Sequence, residues 1–384
     1  MLYLFILLTL FWLIAFVDGW IGMRSLHPLT RRSRPKRSSR LSVIIAAKDE
    51  EQSIQNTIRS LSSQQGVEFE IIAVNDRSND RTGEILNTLQ EELKPLKVIH
   101  VEHLPSGWLG KNHALQKGYE ASTGEYLLFT DGDVEFNQHA LLNSMAFLEE
   151  QQADHVTVAT DLKANSFWLK AFIAYFLFGF GFFKRPWTAN NDRSNKGGMG
   201  IGAFQLLSQQ VYQDIGTHAA FPLRPDDDLH LGQTIKSHGY KQRLATGFQQ
   251  ISVEWYPSLK DAIKGLEKNT FAGLYYSYFM ALFAIIGTFI SQVLPFLILI
   301  TSDGLLQAIA AFDVLLMVGL FALTTRKMST YSPFLSFLLP VTASIFIYAT
   351  VKAVWLTYKR GGIMWRGTFY SIKELKKKRN KHQS

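Results

Sequence analysis

Between Lys268 and Asp303 the chain runs 34 positions without a charged residue. That exceeds the ~20 apolar residues needed to cross a hydrocarbon core about 30 Å thick. Two further blocks follow: Leu305–Thr325, interrupted only by Asp313, and the uncharged Met328–Val351. Pro295, Pro333 and Pro340 are expected to break or tilt these helices. A fourth apolar run, Met1–Val17, opens the chain. A cleaved signal peptide carries basic residues before its apolar run and small residues after it. Here Arg24, Arg31, Arg32, Arg34, Lys36, Arg37 and Arg40 follow instead, and Asp18-Gly-Trp20 is a poor cleavage site. The run therefore reads as a retained anchor.

Charge placement agrees with this reading. The formal balance is +8, yet residues 24–40 carry seven Lys/Arg and no acid, and residues 359–384 carry nine against one Glu. These two stretches account for +15, so the remainder is close to −7. A basic nucleic-acid face would have to lie within the folded domain, so nucleic acid is excluded as a partner. Basic runs that flank apolar segments are juxtamembrane anchors on the cytoplasmic side. Cysteine is absent, which removes disulfides, thiolate catalysis and Cys-based zinc sites. The expected layout is a transmembrane anchor at 1–23, a basic linker at 24–40 and an α/β domain at 41–268. Transmembrane helices at 269–357 and a basic cytoplasmic tail at 358–384 complete it. Three C-terminal crossings would leave that tail outside. One block is therefore expected to be re-entrant or interfacial, or the first to fold as a hairpin.

From Leu41 the pattern changes. Leu41–Ala47 is β-branched and apolar, as in a buried parallel strand. Glu70–Val74, Leu96–Val101 and Glu125–Thr130 read as further strands, with helical segments near 80–93 and 113–122. Polar residues gather after the strand ends, the pattern of a doubly wound, mainly parallel sheet that binds ligands at its carboxyl edge. Ala171–Phe183 is uncharged and rich in Phe but only 13 residues long. It is expected to lie at the membrane surface, or else in the core. Lys196–Phe204 is a glycine-rich loop, and a helix is expected over Asp226–His238.

Four polar clusters carry candidate chemistry. Ala47-Lys-Asp-Glu-Glu51 follows the first strand, where acids also complement a helix N-terminus. Asp76 closes the second strand; it, Ser78 or Asn79 would equally serve as a helix cap. Asp131-Gly-Asp133 closes the fourth strand. Two carboxylates so placed repel unless a cation or donor lies between them, and oxygen ligands suit Mg²⁺ or Mn²⁺ completed by phosphate oxygens. A tight Asp-Gly turn is the plain alternative. Asp226-Asp-Asp228 opens a helix with more acid than its dipole needs, and such a carboxylate serves as a general base. No Gly-x-Ser-x-Gly, Walker loop or His-Glu-x-x-His is present.

In this order the segments LSVIIAAKDEEQSIQNTIRSL, EIIAVNDRSNDRT, GWLGKNHALQKGYEASTGEYLLFTDGDV and PDDDLHLGQTIKSHGY resemble the family 2 glycosyltransferases, over about residues 41–250. That resemblance implies a GT-A fold and inverting transfer from a nucleotide diphosphate sugar. Residue by residue, it implies that Ala47 and Glu50 line the nucleotide pocket and that Asp76 contacts a uracil base. It also places Lys111 near the nucleotide, Asp131 and Asp133 on the metal, and Asp228 as base with Asp227 as its support. The Gln-x-x-Arg-Trp box of processive members is missing, and Gln249-Gln250 with Glu254-Trp255 is at best a remnant. GWLGK and Met364-Trp-Arg-Gly-Thr368 are similar to bacterial enzymes associated with carotenoid acids or hopanoids. A lipid or isoprenoid acceptor is therefore expected. Transfer to polyprenyl phosphate, a polysaccharide synthase and a non-catalytic scaffold are the alternatives.

Overall fold

The computed structural model describes residues 1–30, 39–274, 276–365 and 368–371. Five of the linker's basic residues (Arg31, Arg32, Arg34, Lys36 and Arg37), and the tail beyond Ser371, lie outside these.

After the N-terminal helix α1 (Leu2–Gly22) the chain builds a mainly parallel sheet. Its strands are β1 (Leu41–Ala47), β2 (Phe69–Asp76), β3 (Leu96–Val101), β4 (Tyr126–Asp131), β5 (His155–Ala159), β6 (Gln205–Ser208) and β7 (Gln242–Thr246). Their spatial order is β7-β5-β6-β4-β1-β2-β3, with the two residues His27–Pro28 on the outer edge of β7. Only β6 is antiparallel to its neighbours, β4 and β5. Alternation along β1 explains why it reads as continuously apolar: Val43 and Ile45 face one core and Ile44 the other. Both faces are covered, so neither tolerates polar alternation. The strands read from sequence are found with small shifts. β5, β6 and β7 carry too short an apolar signal to stand out.

Helices α2 (Ile54–Ser62), α3 (Thr82–Glu92) and α5 (Ala140–Glu150) cover one face. Helices α4 (Gly110–Glu120), α7 (Gln209–Asp214) and α8 (Asp227–Ser237) serve the other. After β3 the chain returns to place β4 on the far side of β1. The crevice between the ends of β1 and β4 is thus the sheet's switch point, where such folds bind ligands. Beside it a small sheet joins Val134–Phe136, Asp161–Lys163 and Ile251–Glu254. Val134 pairs with Val253, which fixes the far arm of the Asp131-Gly-Asp133 turn.

Helix α6 (Phe167–Lys184) is five residues longer than its apolar heart suggests, because Ser166 caps its N-terminus through Leu169 N–H. Its inner face is buried: Phe178 stacks on Phe321 at 5.0 Å, and Tyr175 meets Phe346 at 5.7 Å. By length and composition α6 could cross a membrane. However, β4 before it pairs with β6 after it, so it does not carry the chain to the opposite side.

Helices α9 (Leu259–Gly273), α10 (Tyr278–Thr288), α11 (Leu294–Thr301), α12 (Gly304–Met328) and α13 (Leu339–Arg360) follow, and after them Gly362–Trp365 pairs antiparallel with Thr368–Ser371. Besides α6, four helical stretches among the described residues are long and apolar enough to span a membrane: Leu2–Ser25, Tyr278–Thr301, Gly304–Met328 and Pro333–Arg360. The first C-terminal block is not a hairpin. α10 and α11 form one helical run through a π-turn at Phe289–Val293. The cause is Pro295, which has no N–H to offer Ser291. The carbonyl of Ser291 instead accepts the indole N–H of Trp12 at 3.2 Å, and Tyr175 donates to Gln292 at 2.7 Å. Within the same bundle, Thr9 on α1 donates to Asp313 on α12 at 2.6 Å.

Candidate active site

The loops that leave β1 and β2 are laced together. Backbone N–H groups of Asp49, Glu50 and Glu51 donate to Ser78, Thr82 and Asp80. In return the N–H groups of Asn79 and Arg81 donate to Asp49 and Glu51. The carboxylates of Asp49 and Glu51 thus tie two loops into one rim, while that of Glu50 accepts from Ser53 at 3.0 Å. Lys48 reinforces that rim by donating to the carbonyls of Asp76 and Arg77, 3.2 Å away in each case.

Asp76 is buried at the end of β2 and does not cap α3. Both its oxygens are held by Arg77, at 2.7 Å from Nε and 3.1 Å from Nη2. The start of α4 runs so close that a Cβ on Gly110 would lie 2.0 Å from Asp76 Oδ2. This approach needs a glycine there.

Asp131 and Asp133 flank Gly132, whose carbonyl accepts from Thr57 at 2.9 Å. Lys111, in the first turn of α4, reaches Asp131 at 2.8 Å. Burial raises the Asp133 carboxyl to about 7, aided by the charges of Asp131 and Glu50. A cavity of about 200 Å³ brings together Ala47, Glu50, Asp76, Lys111, Asp131 and Asp133. Among the described residues no three His, Cys, Asp or Glu side chains are grouped as a complete metal shell. The donor set still fits a hard divalent ion. It consists of carboxylate oxygens whose mutual repulsion already lifts Asp133, with room for phosphate oxygens to finish the shell.

The acidic triplet separates into three roles. Asp226 points outward and pairs with Arg224 at 2.9 Å. Asp227 turns inward, 5% exposed, with Oδ2 at 3.6 Å from Lys111. Asp228 accepts from the N–H of Gly202 at 2.9 Å and of Leu229 at 2.7 Å. Adjacent side chains on a helix diverge by about 100°, yet both reach the region of Lys111. A Cβ on Gly202 would stand 2.7 Å from Asp131 Oδ2, 3.2 Å from Asp228 Oδ2 and 3.3 Å from Lys111 Nζ. Burial raises both Asp227 and Asp228, and the Lys111 ammonium draws them back down. Burial also opposes the charge on Lys111, but Asp131, Asp227 and Asp228 outweigh it and hold the ammonium above its ordinary range.

Sequence reasoning missed three supports. The glycine-rich segment lies flush on α8: a Cβ on Gly200 would meet the Asp228 carbonyl at 1.8 Å, and one on Gly232 the Met199 carbonyl at 2.1 Å. Asn112 donates to the carbonyls of Phe221, Pro222 and Arg224, tying the loop before the triplet to the helix of Lys111. Tyr212 and His218 are buried behind Asp227. The glycine spacing was the only visible signal. The Gln249-Gln250 and Glu254-Trp255 pairs stand away from this crevice. Gln250 is held by Asn143 at 2.9 Å, and Trp255 packs on Phe176 at 4.4 Å.

This mainly parallel α/β sheet, with its acidic residues gathered around Lys111 at the switch point, is GT-A-like. Residues 42–216 match the family described as Glycosyl transferase family 2. The chain is 33% identical over 133 residues to a 4,4'-diaponeurosporenoate glycosyltransferase of Staphylococcus haemolyticus, a stretch covering 33% of this chain and 34% of that protein. It is 31% identical over 139 residues to probable glycosyltransferase YdaM of Bacillus subtilis, covering 34% and 33%. These two matches span about a third of each relative's length. The 4,4'-diaponeurosporenoate glycosyltransferase of Staphylococcus aureus (strain USA300) is 21% identical over 392 residues, covering 95% of this chain and 97% of that one. Among solved structures, a mannosyltransferase of Pyrobaculum calidifontis, in complex with GDP-Man and Mn²⁺, shares the fold. Its TM-score is 0.56 at 16% identity, with 92% of this chain and 98% of that one covered.

Proposed function

We propose that this chain transfers a sugar from a nucleotide diphosphate sugar, a UDP-sugar, to a lipid-like isoprenoid acceptor, with inversion, at the cytoplasmic face of a membrane. The observation that carries this reading is the meeting of Asp131, Asp227 and Asp228 around Lys111 at the sheet's switch point. Such a site answers the two demands of sugar transfer: charge must be neutralised on a departing diphosphate, and a proton must leave the acceptor hydroxyl.

Asp76, freed from Arg77, would accept from the imide N–H of uracil, while Ala47 and Glu50 line the floor. Asp131 and Asp133 would hold Mg²⁺ or Mn²⁺, which supplies Lewis-acid stabilisation of the diphosphate. Lys111 offers its ammonium to the same oxygens. Asp228 takes the acceptor's proton, its basicity raised by burial and by Asp131. Asp227 supports it as a second, inward-facing anion. A single displacement on the face opposite the diphosphate inverts the anomeric carbon.

The expected layout also belongs to this proposal: anchor 1–23, linker 24–40, transferase domain 41–268, membrane helices 269–357 and cytoplasmic tail 358–384. Helix α6 would lie at the membrane surface as a lip between domain and bilayer, since it leaves and re-enters the same sheet. The carotenoid-named relatives support an isoprenoid acceptor.

Membranes containing the chain, incubated with radiolabelled UDP-sugar and separated by thin-layer chromatography, test the reading. Label in a lipid that resists mild acid is the expected result. Acid-labile lipid label would indicate a polyprenyl phosphate acceptor, polymer-bound label a synthase, and no transfer a scaffold.

A further inference from the structure

The side of Asp227 away from the crevice is closed by a buried tyrosine–histidine pair. Tyr212 and His218 are 0% and 1% exposed. The backbone N–H of His218 donates to the Tyr212 hydroxyl at 3.0 Å, and the same hydroxyl is within hydrogen-bond reach of His218 Nδ1. The chain adopts φ +59° at Thr217 to form this turn, and Thr217 accepts from Ala219 N–H to hold it. A phenol has one proton. With its lone pair taken by the backbone N–H, and no other acceptor in reach among the described residues, that proton goes to Nδ1. The imidazole then carries its own proton on Nε2.

His218 Nε2 is buried and has no hydrogen-bond partner. Its ring otherwise meets Phe129 at 5.3 Å and Phe221 at 4.9 Å. The group it faces is Asp227, whose Oδ2 lies 4.0 Å away, just short of hydrogen-bond distance. The same oxygen is 3.6 Å from Lys111 on its other side. Burial pushes the imidazole down to about 3, so the ring is a neutral donor rather than a second cation.

We propose that His218 is a positioning residue for the transfer reaction: Tyr212 fixes its tautomer, and its Nε2–H closes onto Asp227 when the site fills. The inference rests on the glycosyl-transfer reading and deepens it. Held between an imidazole donor and an ammonium, Asp227 remains an anion with a fixed orientation. The adjacent Asp228 is thereby left to exchange the proton. A buried donor left unmade in the ground state and satisfied in the reacting complex contributes to the rate rather than to affinity for the donor sugar.

The test uses the purified full chain in detergent with UDP-sugar and acceptor lipid, comparing wild type, His218→Leu, His218→Gln, Tyr212→Phe and the double variant Tyr212→Phe/His218→Gln. His218→Leu should lower kcat by about 10- to 100-fold, with the KM for UDP-sugar within about threefold. His218→Gln, which places an amide N–H near the Nε2 position, should recover to within about fivefold of wild type. Tyr212→Phe should lower kcat severalfold in the wild-type chain but have little further effect beside His218→Gln. This non-additivity would not arise from packing alone, and it keeps the test decisive if His218→Leu fails to fold. The role is overturned if folded His218→Leu keeps kcat within twofold of wild type, or if His218→Gln is as impaired as His218→Leu. It is also overturned if Tyr212→Phe costs the same in both backgrounds. A wild-type chain that transfers no sugar would overturn the functional reading and this role together; an active wild type with an unimpaired Leu variant would overturn this role alone.

Discussion

The ammonium of Lys111 stands 3.6 Å from Asp227 Oδ2, joining a helix that precedes β4 to the first turn of a helix that follows β6. It also stands 2.8 Å from Asp131. One cation thus links the carboxylate at the end of β4 to the acidic triplet, and its removal leaves these carboxylates uncompensated. Lys111→Met should lower kcat by at least about 100-fold. The acid limb of its residual pH–rate profile should move to higher pH, because Asp227 and Asp228 lose the charge that draws their pKa values down. A profile that keeps its midpoint would contradict this.

Metal affinity is expected to depend on pH through Asp133. With its carboxyl raised to about 7, a proton competes with the cation below that pH. The Mn²⁺ concentration for half-maximal activity should rise as pH falls from 8 to 6, approaching tenfold per unit at the lower end. Asp133→Asn and Asp131→Asn should each lower turnover by orders of magnitude without unfolding the chain. Full activity in EDTA would remove the metal from the account.

Substitutions in the acidic triplet should grade by position. Asp228→Asn should collapse kcat while UDP-sugar binding stays within a few-fold, since a base acts only in the chemical step. Asp227→Asn should be milder, and Asp226→Asn, whose partner is the peripheral Arg224, milder still. An inactive Asp227→Asn beside a working Asp228→Asn would exchange the two roles. Survival of all three would mean an acceptor that is already ionised.

Two buried histidines give the domain an acid sensitivity apart from catalysis. Burial lowers His155 and His218 to about 3 in the folded chain, against about 6.5 when unfolded. Below pH 6.5 the unfolded state binds more protons, so stability is complete above that value and declines as pH falls toward 3. Each histidine contributes a slope of roughly 1.4 kcal/mol per pH unit. Thermal unfolding at pH 7.5, 6.0 and 5.0 should show Tm falling with pH, and His155→Asn should flatten the decline. An unchanged slope would show that His155 is not titrating.

Topology is open to a direct chemical test because the chain has no cysteine. Ser384→Cys should resist an impermeant maleimide in intact cells and react once the membrane is opened. Labelling in intact cells would place the tail outside and overturn the positive-inside assignment.

The sequence by itself determined the α/β sheet, the apolar helices and the location of the acidic clusters. Each of these follows from local periodicity: β-branched runs such as Leu41–Ala47, charge-free blocks, and polar residues at strand ends. It also exposed Pro295 as a point of disturbance, because a missing N–H is a property of the residue itself. Only the tertiary structure decided what the clusters do to one another. Asp49 and Glu51 could have served their own helix, yet β1 and β2 lie side by side and their loops tie together. Lys111 meets Asp227 because the strand order reverses at β1 and β4, a relation no local spacing encodes. The glycines at 200 and 202 acquire meaning only when α8 lies against them. His218, short of any motif, matters because Tyr212 turns its one free N–H toward a carboxylate nine residues further along the chain. Periodicity reports which face of an element is buried; which charges then share that interior is set by long-range packing.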